Sequence, residues 1–339
     1  MIRDQPELFV GEVLHRVGHV CAKRGLRRVA LLYDRGVERA GHVEAVRGHL
    51  LEAGLTVVPH SVANENPTTD DVHRAVEAMH QGGVDGIVAV GGGSVLDTAK
   101  AANVLLTNGG RLEDYLQHGT AEASLLPLVA VMTTAGTGSE MQMHALISHA
   151  DTHAKLVVGV PDAMPHVALL DPSLTVSMPW RVTAHTGLDA LVHAVETAVC
   201  TTATPASRSL SIEAFSMVMT HLPRVLDAPT DLVARRGMLE AASKAGRAIH
   251  LSMLGAAHAA ANPLTATFDV PHGAAVGCML PAVIDFNRSQ PGADAVYRHL
   301  EEDAGLKLPI QSAISALVDR CCPLGLAAWR VRSDAIGSM

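Results

Sequence analysis

Through the first half of the chain, short apolar runs alternate with stretches of helical periodicity. RVALLYD (28–34) reads as a buried strand, GHVEAVRGHLLEAG (41–54) as a helix ended by Gly54, and LTVVPHSV (55–62) as a second strand. After Pro67, TTDDVHRAVEAMHQGG predicts a helix with acids in its first turn and glycine at its end, the polarity that helix termini prefer. DGIVAVGGG (85–93) is a third strand entering a glycine turn, and SVLDTAKAANVLLT (94–107) the helix beyond it. Further apolar runs follow at 125–132, 154–160 and 166–171. Such alternation predicts a parallel sheet covered on both faces. From about Arg181 the texture changes: 186–199, 206–222 and 231–261 all read as helical, with no strand between them. The expected organisation is an α/β domain over 1–180 and an all-helical domain over 181–339, divided near Pro179–Trp180.

Composition narrows the class. Apolar residues make up 48% and aromatic residues 3%, so the core must be built from Ala, Val, Leu and Met. A formal charge of -8 gives no general pull toward nucleic acid or an anionic membrane. No apolar run approaches the length of a membrane helix, and the N-terminus has acids early and no secretory pattern. Cys21, Cys200, Cys278, Cys321 and Cys322 are unevenly spaced without a CxxC pair, which predicts reduced thiols in a cytoplasmic protein.

Two loops carry candidate chemistry. Gly91-Gly92-Gly93-Ser94 sits where a strand hands over to a helix. Bare backbone there can approach a ligand, and the helix N-terminus favours phosphate. The same stretch is also readable as a tight turn with Ser94 as the helix cap. Thr133-Thr134-Ala135-Gly136-Thr137-Gly138-Ser139-Glu140 follows another strand, and its hydroxyls can bond pyrophosphate or ribose; an ordinary polar loop is the alternative. Two such loops on one sheet favour a dinucleotide over either loop alone. Asp34, ending the first strand, can accept from a ribose and repel a 2′-phosphate, or be a solvated turn residue.

Among 19 histidines, spacing matters more than presence. Asp189 and His193 are i,i+4 in a predicted helix and project from one face. His258 lies in GAAHAAANP and His272 in VPHGAAVG. One carboxylate and three imidazoles suit Fe²⁺ or Zn²⁺. An exposed helix pair, a satisfied core histidine and a solvated loop histidine are the alternatives.

Taken in order, GGGSVLDTAK (91–100), TTAGTGSE (133–140), LDPSLT (170–175), TGLDALVHAVE (186–196), GAAHAAANPL (255–264) and PHGAAVGCMLPAVIDFN (271–287) resemble the iron-dependent (group III) alcohol dehydrogenase family. The resemblance spans roughly residues 5 to 290. It implies a nucleotide-binding α/β domain, a helical metal-binding domain of the dehydroquinate synthase-like fold, and a divalent metal in a cleft. Carried over residue by residue, the metal ligands are Asp189, His193, His258 and His272. Gly92, Gly93 and Ser94 form the pyrophosphate loop, with Asp97 toward the nicotinamide. Thr133, Thr134, Thr137 and Ser139 line the cofactor, Lys155 and Leu174 touch its ribose, Asn66 lies near the adenine, and Asp34 favours NAD over NADP. Many relatives carry a second histidine one helical turn after the first metal histidine of the helical domain; here Asn262 stands there. The family also usually runs longer at the C-terminus.

The implied reaction is reversible hydride transfer between a primary alcohol and NAD, with the metal stabilising charge on the alcohol oxygen. A small alcohol or aldehyde is the expected partner, with neither nucleic acid nor membrane, in a homodimer or larger homo-oligomer. A glycerol-dehydrogenase-type enzyme, or a catalytically weak member kept for ligand binding or assembly, are the alternatives.

Overall fold

The computed structural model describes residues 5–62, 66–116 and 119–331. Residues 1–4 and 332–339, the outer ends of the two expected domains, lie outside the described residues. The chain forms two compact units: Met1–Thr134 with Ser139–Ser177, and Ala135–Gly138 with Met178–Met339.

In the first unit the elements run β1 (Glu7–Val10), α1 (Val17–Lys23), β2 (Arg28–Tyr33), α2 (Arg35–Arg39), α3 (His42–Glu52), β3 (Thr56–Ser61), α4 (Thr69–Gly82), β4 (Gly86–Gly91) and α5 (Gly93–Asn108). They continue with β5 (Leu128–Met132), β6 (His144–Ser148), β7 (Lys155–Gly159), β8 (Val167–Leu170) and α6 (Pro172–Thr175). Six strands form one sheet in the order β1-β8-β5-β4-β2-β3, every pair parallel. The inner strands β4, β5 and β8 are buried at every position, as strands covered on both faces must be. The edge strand β3 has no fully buried position, and Pro59 is tolerated there because an edge strand can spare a donor. The core gathers Val29, Leu31, Val88, Val90, Val129, Val131 and Leu169 from the sheet with Val46 and Leu50 from α3.

The run 154–160 departs from expectation. It is strand β7, but it pairs antiparallel with β6 in a separate two-stranded ribbon and does not join the parallel sheet. Apolarity alone cannot tell a sheet strand from a ribbon strand. β1, ELFV, is apolar at three of its four positions but short, with two exposed and two half-buried residues, and the sequence reading above does not include it.

The second unit is helical: α7 (Trp180–Val199), α8 (Pro205–Asp227), α9 (Leu232–Leu251), α10 (Ala256–Phe268), α11 (His272–Asn287), α12 (Pro291–Asp303) and α13 (Ile310–Cys321). α7 is buried on nearly all sides, the mark of a central helix. The stretch 231–261 is not one helix. It breaks at 252–255, where Ser252 and Gly255 leave helical geometry, so that α9 ends and α10 starts afresh.

Candidate active site

At the carboxyl ends of β2 and β4 the chain reverses its direction across the sheet, because β3 lies on one side of β2 and β4 on the other. Crevices at such points are where open α/β sheets bind ligands. Tyr33 pairs with Val90, so Asp34 and the glycine turn leave neighbouring strand ends side by side. Asp34 caps α2: its Oδ1 accepts from the N–H groups of Gly36 (2.7 Å) and Val37 (2.9 Å). The cap of α5 is Gly92, not Ser94; no side chain occupies the cap position, and Gly93 and Ser94 are already helical. The helix N-terminus is thereby left to other acceptors.

The loop 133–140 divides. Thr133 and Thr134 stay with the first unit, Ala135–Gly138 packs with the second, and Ser139 returns to the first. Thr134 Oγ1 is buried with no hydrogen-bond partner among the described residues. Ser139 is buried and engaged: its hydroxyl donates to Asp97 Oδ1 (2.5 Å) and accepts from Lys100 Nζ (2.7 Å). Asp97 Oδ2 accepts from Leu146 N (2.9 Å). Lys100 is fully buried and also donates to the carbonyls of Ser139 (2.6 Å) and His144 (2.8 Å). Burial pushes its ammonium down to about 8, against the pull of Asp97 and Glu140. The sequence offers Lys100 only as the end of a motif, and its bridging role is invisible without the fold. Lys155 donates to Asn66 Oδ1 (3.0 Å) and Ser148 Oγ (2.9 Å), bringing two of the expected cofactor residues together. Leu174 is a core residue, 3% exposed, so a ribose can reach little of its side chain.

The second unit assembles the Asp/His group. Asp189 and His193 face one way from α7, with Asp189 Oδ1 3.4 Å from His193 Nε2. His258 from α10 and His272 from the first turn of α11 bring Nε2 to 3.8 Å and 3.7 Å of the same oxygen. The ligand atoms of Asp189, His258 and His272 lie within 4.8 Å of one another. His193 stacks on His258, centroids 4.8 Å apart and rings 14° from parallel. Its Nδ1 lies 3.3 Å from the Gly136 carbonyl, which can only accept, so the ring proton sits on Nδ1 and Nε2 is left toward Asp189.

Burial opposes the Asp189 charge, but His193, His258 and His272 outweigh it and hold the carboxyl well below the ordinary range. Burial takes His193 down to about 4 against the pull of Asp189. His258 moves the other way despite its burial, up to about 9, because the Asp189 and Glu196 carboxylates flank it. Asp189 Oδ1 and His258 Nε2 are buried without hydrogen-bond partners among the described residues and lie 3.8 Å apart. Polar atoms so placed are costly unless something joins them. Three imidazoles and a carboxylate are the donor set for a divalent cation such as iron or zinc, so the residues fit the group. His272 is one-third exposed and leaves the group open on its side.

The chain as a whole is similar to known proteins. Residues 6–172 match the family described as iron-containing alcohol dehydrogenase, and residues 183–324 the C-terminal domain of the same family. The probable alcohol dehydrogenase EutG of Escherichia coli is 38% identical over 271 residues, covering 80% of this chain and 69% of that protein. The NAD-dependent methanol dehydrogenase of Bacillus methanolicus is 35% identical over 283 residues, 83% of this chain and 74% of that one. The crystal structure of a 1,3-propanediol oxidoreductase superposes with a TM-score of 0.90 at 29% identity, over 100% of this chain and 92% of the other. The chain belongs to the iron-containing alcohol dehydrogenase family and is an NAD-dependent alcohol oxidoreductase. No described helix is long and apolar enough to cross a membrane.

One contact in this site is directly testable. A Cβ on Gly273, next to His272, would lie 1.9 Å from the His185 carbonyl of α7. Main chain cannot rotate away, so Gly273→Ala must push α11 off α7. The expected cost is about 2 kcal/mol by chemical denaturation, with weakened divalent-cation binding. Unchanged stability would show that α11 does not need this approach.

Proposed function

We propose that this chain interconverts a primary alcohol and its aldehyde with NAD, using Fe²⁺ or Zn²⁺ held by Asp189, His193, His258 and His272. The observation that carries the metal assignment is the buried, unpartnered pair Asp189 Oδ1 and His258 Nε2 with two further imidazoles on the same oxygen. When bound, the cation supplies Lewis-acid polarisation of the substrate oxygen, and the nicotinamide supplies hydride exchange. The protein's part is positional. Asp189 offers the one carboxylate among the four ligands, and His272 keeps the accessible side. Gly92, Gly93 and Ser94 present the N-terminus of α5 to a pyrophosphate, and the hydroxyl of Thr134 awaits an acceptor. Thr133 and Thr137 belong to the same loop, and Asn66 with Lys155 forms a polar pair suited to the nucleoside end. Asp97, held by Ser139 and Leu146, marks the nicotinamide side. The protein works in the cytoplasm as a homodimer or larger homo-oligomer; its five unpaired thiols support that compartment.

Protein purified without chelator should hold about one metal per chain. NADH consumption across an aldehyde panel, with and without added Fe²⁺ or Zn²⁺, tests the activity. His258→Ala should lose metal and turnover together; full metal content and full rate in that variant would remove His258 from the site.

NAD should be preferred over NADP, because a 2′-phosphate would meet the Asp34 carboxylate at a cost of about 1–3 kcal/mol, roughly tenfold to hundredfold in KM. Comparing kcat/KM for the two cofactors settles it. Equal values, or a preference that Asp34→Gly does not move, would mean Asp34 does not read the ribose.

Asn262 is exposed on α10, one turn beyond His258. It can exchange hydrogen bonds but cannot titrate near neutrality as a histidine does. General acid–base help is typically worth about 10²–10⁴-fold, and water recovers part of it, so Asn262→His should raise kcat about tenfold to hundredfold and add a pH dependence near neutrality. An unchanged rate and pH profile would route the proton elsewhere.

A further inference from the structure

Glu196 belongs to none of the roles above, yet it is 2% exposed and touches the metal group from behind. It follows Asp189 and His193 on the same face of α7, at the i+7 position. Its Oε1 accepts from Ala257 N (2.6 Å). Its Oε2 accepts from Gly255 N (3.1 Å) and lies 2.5 Å from His258 Nδ1. Both backbone donors belong to the first turn of α10, the helix that carries His258. A Cβ at position 255 would lie 2.8 Å from Oε1 and 3.2 Å from Cδ of Glu196, so the glycine leaves the carboxylate the room it occupies.

An ionised carboxylate has no proton to give. The contact with His258 therefore requires the ring to carry hydrogen on Nδ1, which leaves Nε2 as the nitrogen toward Asp189. The opposite tautomer would set a bare Nδ1 against a carboxylate and bury a proton on the ligating side. We propose that Glu196 is a positioning residue that fixes the tautomer and orientation of His258, so that Nε2 is its metal-ligating atom, while also capping the helix that carries it. This rests on the metal reading of Asp189, His193, His258 and His272.

Glu196→Gln separates the two roles. An amide has one acceptor oxygen in place of two. If that oxygen keeps the bond from Ala257 N, the NH₂ group faces His258 Nδ1 and demands an acceptor there, which moves the ring proton to Nε2. The experiment titrates Co²⁺ into chelator-stripped full-length wild type and Glu196→Gln, reading the d–d absorption, with circular dichroism as the check on folding. The variant is expected to fold and to bind Co²⁺ about tenfold to hundredfold more weakly, the usual loss when a partner behind a ligating histidine is removed. Histidine ¹⁵N spectra of zinc-loaded wild type should show the His258 proton on Nδ1. Wild type that binds Co²⁺, with Glu196→Gln equal to it, overturns the assignment to Glu196 alone. Wild type that binds no Co²⁺ overturns both this assignment and the metal reading. Should the variant not fold, the wild-type spectrum decides: Nδ1–H supports the proposal, and a proton on Nε2 overturns it.

Discussion

A carboxylate buried among three imidazoles has few stable arrangements, and the helical unit is organised to supply one. Asp189 is 4% exposed, and an ionised group at that depth is costly unless paired. Its partners arrive from α7 itself, α10 and α11, so three helix positions must be right at once. That demand accounts for the burial of α7 on nearly all sides and for the close approach of α11 at Gly273. It also accounts for the orphaned atoms: Asp189 Oδ1 and His258 Nε2 give up protein hydrogen bonds, which suits a cation better than it suits a packed core.

The proposed cofactor side follows a different rule. Among the described residues there, no buried carboxylate stands alone. Asp97 is satisfied by Ser139 and Leu146, and the buried Lys100 ties Ser139 and His144 to α5. What remains open is backbone: the start of α5 behind Gly92, uncapped by any side chain. The site proposed to receive a mobile anion keeps backbone donors free, whereas the site proposed to hold a metal keeps acceptors free.

Much of this was legible in the chain. The runs 28–34, 55–62 and 85–93 became β2, β3 and β4 because Val, Ile and Leu under glycine punctuation have few other uses. The failures are local and physical. The run 154–160 has the composition of a sheet strand, but its partner is β6, and pairing is a tertiary fact that apolarity does not encode. In 231–261, helical periodicity runs across Ser252 and Gly255, and the break shows only when α10 must begin where Glu196 can reach it. Glu196 carries no signal in the sequence beyond being an acid at the end of the 186–196 motif. Only the fold shows that it is buried against His258. Ser94 looks like a cap by residue type, but Gly92 takes that position because α5 begins two residues earlier than a serine cap would place it.

If Asp34 reads the ribose as proposed, it binds two properties of the molecule into one side chain. One of its oxygens is committed to the N–H groups of Gly36 and Val37, where it starts α2. Losing such a cap costs about 1 kcal/mol. A lineage drifting toward a phosphorylated cofactor through this position would therefore give up folding stability with the same mutation, and would need a stabilising change elsewhere before the new preference could persist. On that reading cofactor choice in this chain is less free to evolve than a solvent-facing acid at a strand end would suggest, and serine, threonine or asparagine, which cap without a full negative charge, are the replacements that leave the helix start intact.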